Sequence, residues 1–121
     1  SAVEAKYRNS FKFEGTTNRQ FAGHNNYKSY VNEIRSTFPN LKHQIDEIYW
    51  MGNDSDGYLI SSRWSAEGDH KGDKLYGTPS GAQCQIWGIT QWRVKNGIVE
   101  QEWQLFNEFD VMIQIAAARI K

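Results

Sequence analysis

The apolar segment of residues 98–107 ends in a polar residue whose position suits chemistry. Its sequence, IVEQEWQLFN, brings Asn107 to the end of a predicted strand, beside large aromatic side chains. Strand ends of this kind often form the mouth of a ligand pocket in small α+β folds. An Asn side chain can donate and accept hydrogen bonds but cannot transfer protons. We therefore expect Asn107 either to polarise a ligand carbonyl or to cap the helix that follows it.

A charge in the middle of an apolar segment is the second feature that could take part in chemistry. Arg63 lies within YLISSRWSA, whose other residues are mostly apolar or carry hydroxyl groups. A buried charge needs a partner, and Glu102 lies on a predicted strand that could be a neighbour. The two could form a structural ion pair. Alternatively, Arg63 could bind an anionic substrate or activate a carboxylate.

Large side chains on the same segments are candidates for ligand contacts. Aromatic residues make up 14% of the chain, which is enough to fill a core and also to line a cavity. Trp103, Leu105 and Asn107 share one strand face by the two-residue period, so a pocket that includes Asn107 should include Trp103. Together with Trp64 and Gln91, Trp103 and Leu105 form the predicted set of ligand contacts.

The composition excludes several classes of function. The 14 acidic and 14 basic residues give a net charge of zero, and no basic cluster predicts nucleic-acid binding. The single cysteine, Cys84, allows no internal disulfide, and the histidine spacing predicts no metal site. With no long apolar run and no signal peptide in the sequence, we expect one soluble, cytoplasmic domain over residues 1–121, not associated with a membrane.

Two periodicities define the elements that must position these residues. A helical period predicts a helix over residues 25–38, capped by Asn25 or Asn26 and ended by Pro39. A second helix is predicted over residues 109–118. Alternation predicts a strand over residues 7–14. Apolar segments between turn signals predict an irregular strand over residues 43–52 and further strands over residues 58–66, 83–94 and 98–107. Because helices and strands are segregated along the chain, the expected class is α+β with an antiparallel sheet.

Several short motifs, in this order along the chain, resemble one known family. They are Phe38-Pro39, Arg63-Trp64, Gly68-Asp69-His70-Lys71-Gly72, Gly77-Thr78-Pro79-Ser80-Gly81 and Trp103. Each motif alone is weak, but together, over about residues 20–115, they resemble the SnoaL-like polyketide cyclase (ester cyclase) family. The resemblance implies a cone-shaped, curved antiparallel sheet packed with helices, as in nuclear transport factor 2 and ketosteroid isomerase. It also implies a small hydrophobic or polyketide-like ligand, no cofactor and a homodimer.

Two features depart from the family pattern. The family fold normally opens with one or two helices, whereas the first predicted strand starts almost at once here, so we expect that helix to be short or missing. Where the cyclases carry their catalytic Asp, this chain has Asn107. The resemblance implies that His70 holds a substrate oxygen or shuttles a proton, and a turn histidine bonded to backbone fits equally well.

Three functions are compatible with these observations. The first is a cofactor-independent cyclase, isomerase or hydrolase whose polar residues are Asn107, His70, Arg63 and Glu102. The second is a ligand-binding module that has kept the pocket and lost the acid. The third is a scaffold for dimerisation. The second is favoured because an amide cannot replace a carboxyl group as a general acid.

Overall fold

The computed structural model describes residues 2–121 as a six-stranded sheet with three helices. The elements, in chain order, are α1 (Ala2–Lys6), β1 (Tyr7–Gly15), β2 (Arg19–Ala22), α2 (His24–Thr37), β3 (Lys42–Asn53), β4 (Gly57–Asp69), β5 (Gln83–Lys95), β6 (Ile98–Phe106) and α3 (Glu108–Ile120). The strand order is β2-β1-β6-β5-β4-β3, so β2 and β3 form the edges. The α+β class is confirmed, with a curved, open sheet and a short first helix.

One pairing differs from the expected antiparallel arrangement. Strands β3 to β6 form an antiparallel meander, but β1 pairs with β6 in the parallel direction, with Phe13 opposite Glu102. The sheet is therefore mixed, and the prediction of a purely antiparallel sheet is wrong at this pair. Periodicity identifies a strand but does not say which distant strand lies beside it.

A short strand that the sequence analysis missed lies between β1 and α2. Strand β2 pairs antiparallel with β1 across a turn in which Thr17 and Asn18 have positive φ. Positive φ at successive residues is typical of tight hairpin turns. The hairpin leads directly into α2, whose N-cap is Gly23 rather than Asn25 or Asn26, with no side-chain cap hydrogen bond.

The other predicted elements are confirmed, with changes at their ends. Helix α2 ends at Thr37, because Pro39 disfavours helical backbone at the residue before it. Strand β4 continues to Asp69, three residues beyond the predicted end at residue 66, so the loop that connects it to β5 covers residues 70–82. No helix in the described part of the chain is long and apolar enough to cross a membrane.

The sheet has a buried inner face and a largely exposed outer face. Along β4, Trp64 and Ala66 are buried on the inner face, while Arg63 lies on the outer face. One core cluster joins this part of the sheet to α3 and consists of Phe38, Trp64, Ala66, Ala82, Cys84, Ile86, Val111 and Ile115. A second cluster lies between α2 and β1 and consists of Phe11, Phe13 and Tyr30.

Candidate functional site

An apolar cavity lies on the inner side of the sheet, between the end of α2, strands β3–β6 and the loop of residues 70–82. Its volume is about 120 Å³, and its walls include Phe38, Trp64 and Phe106. Gly88 makes room for Trp64, because a Cβ atom at Gly88 would lie 2.8 Å from the indole Cζ2 atom. A cavity of roughly 150 Å³ can hold benzene, so this space has room for about one ring.

Two polar groups in the cavity wall already have hydrogen-bond partners. The Trp64 indole Nε1–H donates to Thr90 Oγ1 over 2.9 Å. The Tyr76 hydroxyl donates to Glu108 Oε2 over 2.5 Å. These two side chains therefore present mainly their rings to the cavity.

Two further polar side chains in the wall, Gln104 and His43, keep unused hydrogen-bonding atoms. Gln104 Oε1 accepts a hydrogen bond of 2.8 Å from the Tyr30 hydroxyl, which leaves Gln104 Nε2 without a partner among the described residues. His43 is exposed at the cavity mouth, and its ring lies tilted by 34° against that of Trp64, with ring centroids 5.1 Å apart. These groups could bind a polar substituent of a ligand.

A buried ion pair holds Tyr76 in place behind the cavity. The Glu108 carboxylate accepts hydrogen bonds of 2.7 and 2.6 Å from the Arg19 guanidinium, and further bonds from Thr17 and Tyr76. Burial alone would raise the pKa of Glu108, but these hydrogen bonds outweigh it and lower the pKa below its ordinary value. Burial raises the pKa of Tyr76, and its bond to Glu108 raises it further. Both oxygens of the Glu108 carboxylate therefore already accept hydrogen bonds from neighbouring side chains.

Asn107 connects β5 to α3 through its side chain. Its Oδ1 atom accepts from the Trp87 backbone N–H over 2.9 Å, and its Nδ2 atom donates to the Gln85 carbonyl over 3.1 Å. Nδ2 also donates to Asp110 Oδ2 over 3.0 Å. The residue occupies the N-cap position of α3, but its side chain makes no cap hydrogen bond. The Asn107 amide thus forms hydrogen bonds with the backbone of β5, much as a neighbouring strand would. The expectation that Asn107 caps the helix through its side chain is wrong.

This geometry gives an expected result for Asn107→Asp, which should lower the free energy of unfolding by about 2 kcal/mol at neutral pH. The carboxylate cannot donate to the Gln85 carbonyl, and it would lie against the Asp110 carboxylate. Urea unfolding would measure the loss, which should shrink at low pH as the new carboxyl group gains a proton.

The same substitution at Asn96, in the exposed turn between β5 and β6, is the matched control and should change stability little. Asn96 has a positive φ, which Asp also tolerates. If Asn107→Asp were as stable as Asn96→Asp at neutral pH, the donor role of the Asn107 amide would be contradicted.

His70 is fully buried and organises the loop of residues 70–82. Its Nδ1 atom accepts from the Ser80 backbone N–H over 3.2 Å, so Nε2 carries the proton and donates to the Leu75 carbonyl over 3.1 Å. The loop then packs tightly on α2, because a Cβ atom at Gly72 would lie 1.8 Å from the Ser36 carbonyl oxygen. His70 is thus placed as the turn histidine bonded to backbone, and it is not among the cavity-lining residues.

The predicted pairing of Arg63 with Glu102 is wrong. Arg63 is exposed on the outer face of β4 and pairs with Glu47 of the neighbouring strand. Glu102 is buried on the inner face of β6. Strand β5 lies between β4 and β6, and the two side chains project from opposite faces of the sheet, so they cannot meet.

Glu102 instead joins three elements at the end of the sheet near α1. Its carboxyl group accepts hydrogen bonds from Tyr7 (2.6 Å), Trp92 (2.8 Å) and Tyr27 (3.1 Å). Burial raises the pKa of Glu102, and these three hydrogen bonds offset part of that rise. Glu102 is not part of the cavity wall, so Asn107, His70, Arg63 and Glu102 do not come together in one site.

The predicted ligand contacts are also divided between the two faces of the sheet. Trp64 projects into the inner cavity, whereas Gln91, Trp103 and Leu105 project from the outer face. Leu105 and Asn107 border the same groove on the outer face, as their predicted shared face implies, but Trp103 is not among the residues that line this groove.

An open groove on the outer face brings some of these residues together. Leu105 and Asn107 border it with Trp87 and Ile89, and its volume is about 590 Å³. Trp87 and Leu105 are 58% and 65% exposed, so the groove is a shallow apolar surface rather than an enclosed pocket.

Gln104, His43 and Tyr76 line the cavity but were not predicted from the sequence. Gln104 lies between Trp103 and Leu105, so the assignment of the pocket to their strand face excluded it. His43 and Tyr76 lie in polar or glycine-rich sequence, where no periodicity marks them. No group of three or more His, Cys, Asp or Glu side chains is arranged to hold a metal within residues 2–121.

Comparison with known proteins gives a family match over nearly the whole chain. The model of the family described as SnoaL-like polyketide cyclase matches residues 1–115. No curated protein sequence matches the chain.

Solved structures share the fold. A candidate SnoaL-like polyketide cyclase from Jannaschia sp. CCS1 has a TM-score of 0.83 at 18% identity, covering 94% of this chain and 76% of its own. AclR, a candidate hydroxylase from Streptomyces galilaeus, has a TM-score of 0.76 at 13% identity, covering 95% and 69%. A nuclear transport factor 2-like protein of unknown function from Burkholderia pseudomallei K96243 has a TM-score of 0.72 at 12% identity, covering 93% and 82%. At these identities the likeness shows the fold alone.

Proposed function

Because this chain belongs to the SnoaL-like polyketide cyclase family, we propose that it binds a small, mainly apolar molecule in the inner cavity. The observation that carries the proposal is the cavity itself, whose aromatic and aliphatic walls surround a few polar atoms. Concave apolar sites with a small number of polar groups are the usual form of small-molecule sites. The volume of about 120 Å³ suits one ring, so a larger ligand would extend past His43 into solvent.

We further propose that binding here takes place without the acid–base step of the cyclases. The position of their catalytic Asp is Asn107, and its amide is bonded to the backbone of β5. The carboxylate of Glu108 is occupied by Arg19 and its neighbours, and Glu102 is bonded in a different part of the fold. A general base must reach the proton that it removes, and neither carboxylate is free to do so. These contacts support a ligand-binding module over a cyclase.

Filling the cavity tests the proposal. Ala66 is buried in the cavity wall, so Ala66→Leu would place three additional carbon atoms in the space. We expect the affinity for ethylbenzene, measured by isothermal titration calorimetry, to fall at least about tenfold, because the ring would lose its apolar contacts. The stability of the variant should rise, or fall by no more than about 3 kcal/mol, depending on how well the leucine fits.

Ala116→Leu, the same substitution on the exposed side of α3, is the matched control and should leave ethylbenzene binding unchanged. Equal affinities of the wild-type protein and the Ala66→Leu variant would contradict the inner cavity as the binding site. Absence of ethylbenzene binding to the wild-type protein would contradict the proposed function itself.

We also propose that the outer face of the sheet is a homodimer interface. Trp87, Ile89 and Leu105 are adjacent on that face, and Phe109 at the start of α3 is 76% exposed. Contiguous apolar surface of this kind is uncommon on soluble monomers and marks interaction sites. A second copy related by a two-fold axis would bring the same apolar surface, which is complementary to itself in chemistry.

A further inference from the structure

We propose that the inner cavity selects a neutral, ring-sized carbonyl compound and that the Gln104 amide donates a hydrogen bond to the ligand's carbonyl oxygen. This inference rests on the proposed function and specifies the ligand class of the same cavity.

A hydrogen bond from Tyr30 fixes the orientation of the Gln104 side chain. Tyr30 is buried, and burial raises the pKa of its hydroxyl, which therefore keeps its proton and donates to Gln104 Oε1 over 2.8 Å. In the opposite amide orientation, Nε2 would face the hydroxyl and the Tyr30 proton would lose its acceptor. The hydrogen bond thus fixes Oε1 toward Tyr30 and leaves the Nε2 amino group for another partner.

The Gln104 Nε2 amino group is accessible to a partner outside the protein. In residues 2–121, every side-chain nitrogen or oxygen that is fully buried has a hydrogen-bond partner. Gln104 Nε2 has none there, so it must be open to the cavity or to solvent, and Gln104 lines the cavity. A buried ligand oxygen placed against this N–H group would be satisfied, whereas an apolar group there would leave the donor unpaired.

The charges around the cavity favour a neutral ligand. No Lys or Arg side chain is among the residues that line the cavity in the described structure, and the nearby Arg19 guanidinium is bonded to Glu108. The Glu108 carboxylate also lies directly behind Tyr76. A carboxylate ligand would lose its hydration without gaining a buried cation, so a neutral carbonyl is favoured over an acid.

The shape of the cavity favours a flat, ring-sized ligand. Phe38, Trp64, Tyr76 and Phe106 give the cavity four aromatic walls, and its volume is about 120 Å³. Aromatic walls pack well on flat rings, and the volume limits the enclosed part of the ligand to about one ring. Acetophenone has one ring and a neutral carbonyl, ethylbenzene has one ring without the oxygen, and benzoate has one ring with a charge.

The test is a cycle that combines two ligands with two proteins, measured by titration calorimetry at neutral pH. We expect Gln104→Leu to lower acetophenone affinity about tenfold and to leave ethylbenzene affinity unchanged or higher. The ratio of acetophenone affinity to ethylbenzene affinity is compared between the two proteins, so the difference in hydrophobicity between the ligands cancels. Tyr30→Phe, which keeps the Gln104 amide and removes only its partner, should lower acetophenone affinity much less. Benzoate should bind the wild-type protein at least tenfold more weakly than acetophenone.

A second readout uses the wild-type protein alone, in case Gln104→Leu does not fold. Acetophenone, but not ethylbenzene, should shift the NMR resonances of the Gln104 side-chain amide protons downfield. Suppose that both ligands bind, that the ratio of acetophenone to ethylbenzene affinity is the same in the wild-type and Gln104→Leu proteins, and that the Gln104 amide resonances are the same with either ligand. The carbonyl inference is then overturned while the cavity proposal stands. If benzoate binds as well as acetophenone, the selection for a neutral ligand is overturned. If neither ethylbenzene nor acetophenone binds, the proposed function fails, and this inference fails with it.

Discussion

Arg19→Met is expected to lower the free energy of unfolding by about 3 kcal/mol at neutral pH. The Glu108 side chain is only 1% exposed, and Arg19 supplies two of the hydrogen bonds that stabilise its charge. Methionine keeps much of the side-chain length but leaves a buried carboxylate without a cation. Arg19 is itself partly exposed, so we take the lower end of the range for a broken buried ion pair. Urea unfolding measures the loss.

The pH dependence of this loss follows from the lowered pKa of Glu108. A carboxyl group whose pKa is depressed by folding contributes stability above its unfolded pKa, and this is lost as the pH falls through the folded value. The difference between the wild-type protein and Arg19→Met should therefore be largest at neutral pH and shrink on acidification. Arg8→Met, which breaks the exposed pair with Glu100, is the control and should cost less than about 1 kcal/mol. Equal losses in the two variants would contradict the importance of the buried pair.

Leu105→Glu is expected to disrupt the proposed homodimer and give a monomer. Leu105 lies on the outer apolar face, beside Ile89 of β5, and is 65% exposed. In a symmetric interface one substitution places two carboxylates in an apolar contact, and each loses hydration without a partner. We expect the dissociation constant to rise at least about 100-fold, as measured by sedimentation velocity.

Ile48→Glu is the matched control for this experiment. Ile48 pairs with the buried Ser62, so it lies on the inner face of the sheet, and it is 56% exposed, close to the 65% of Leu105. This variant should remain a dimer. A wild-type protein that sediments as a monomer, or a Leu105→Glu variant that stays dimeric, would contradict the proposed interface.

Periodicity was a good guide to the elements of this fold and a poor guide to their pairing. The helix before Pro39 was identified by its helical period, and residues 83–94 were identified as a strand because they are rich in apolar and aromatic residues beside a turn. Strand β2 was missed because four residues are too few for a period to be read. The parallel contact of β1 with β6 joins residues about 90 positions apart, and no local pattern encodes it.

The site was harder to predict because both faces of β6 carry large side chains. Trp103 and Leu105 looked like pocket residues, yet they lie on the outer face, and Gln104 between them faces inward. The inner face could be assigned only from the neighbouring strands, which the sequence does not specify. Asn107 was located correctly at the end of the strand, but its bonds to Trp87 and Gln85 depend on three-dimensional contacts between β5 and α3.

The inner cavity is the central claim, and NMR titration of the wild-type protein with ethylbenzene tests it most directly. The expected result is a saturable shift of the Ala66 and Ile86 methyl groups, which line the inner cavity and not the outer groove. Trp87 and Leu105, at the outer groove, should not shift. Shifts confined to Trp87 and Leu105, or no saturable shift at Ala66 and Ile86, would contradict the account.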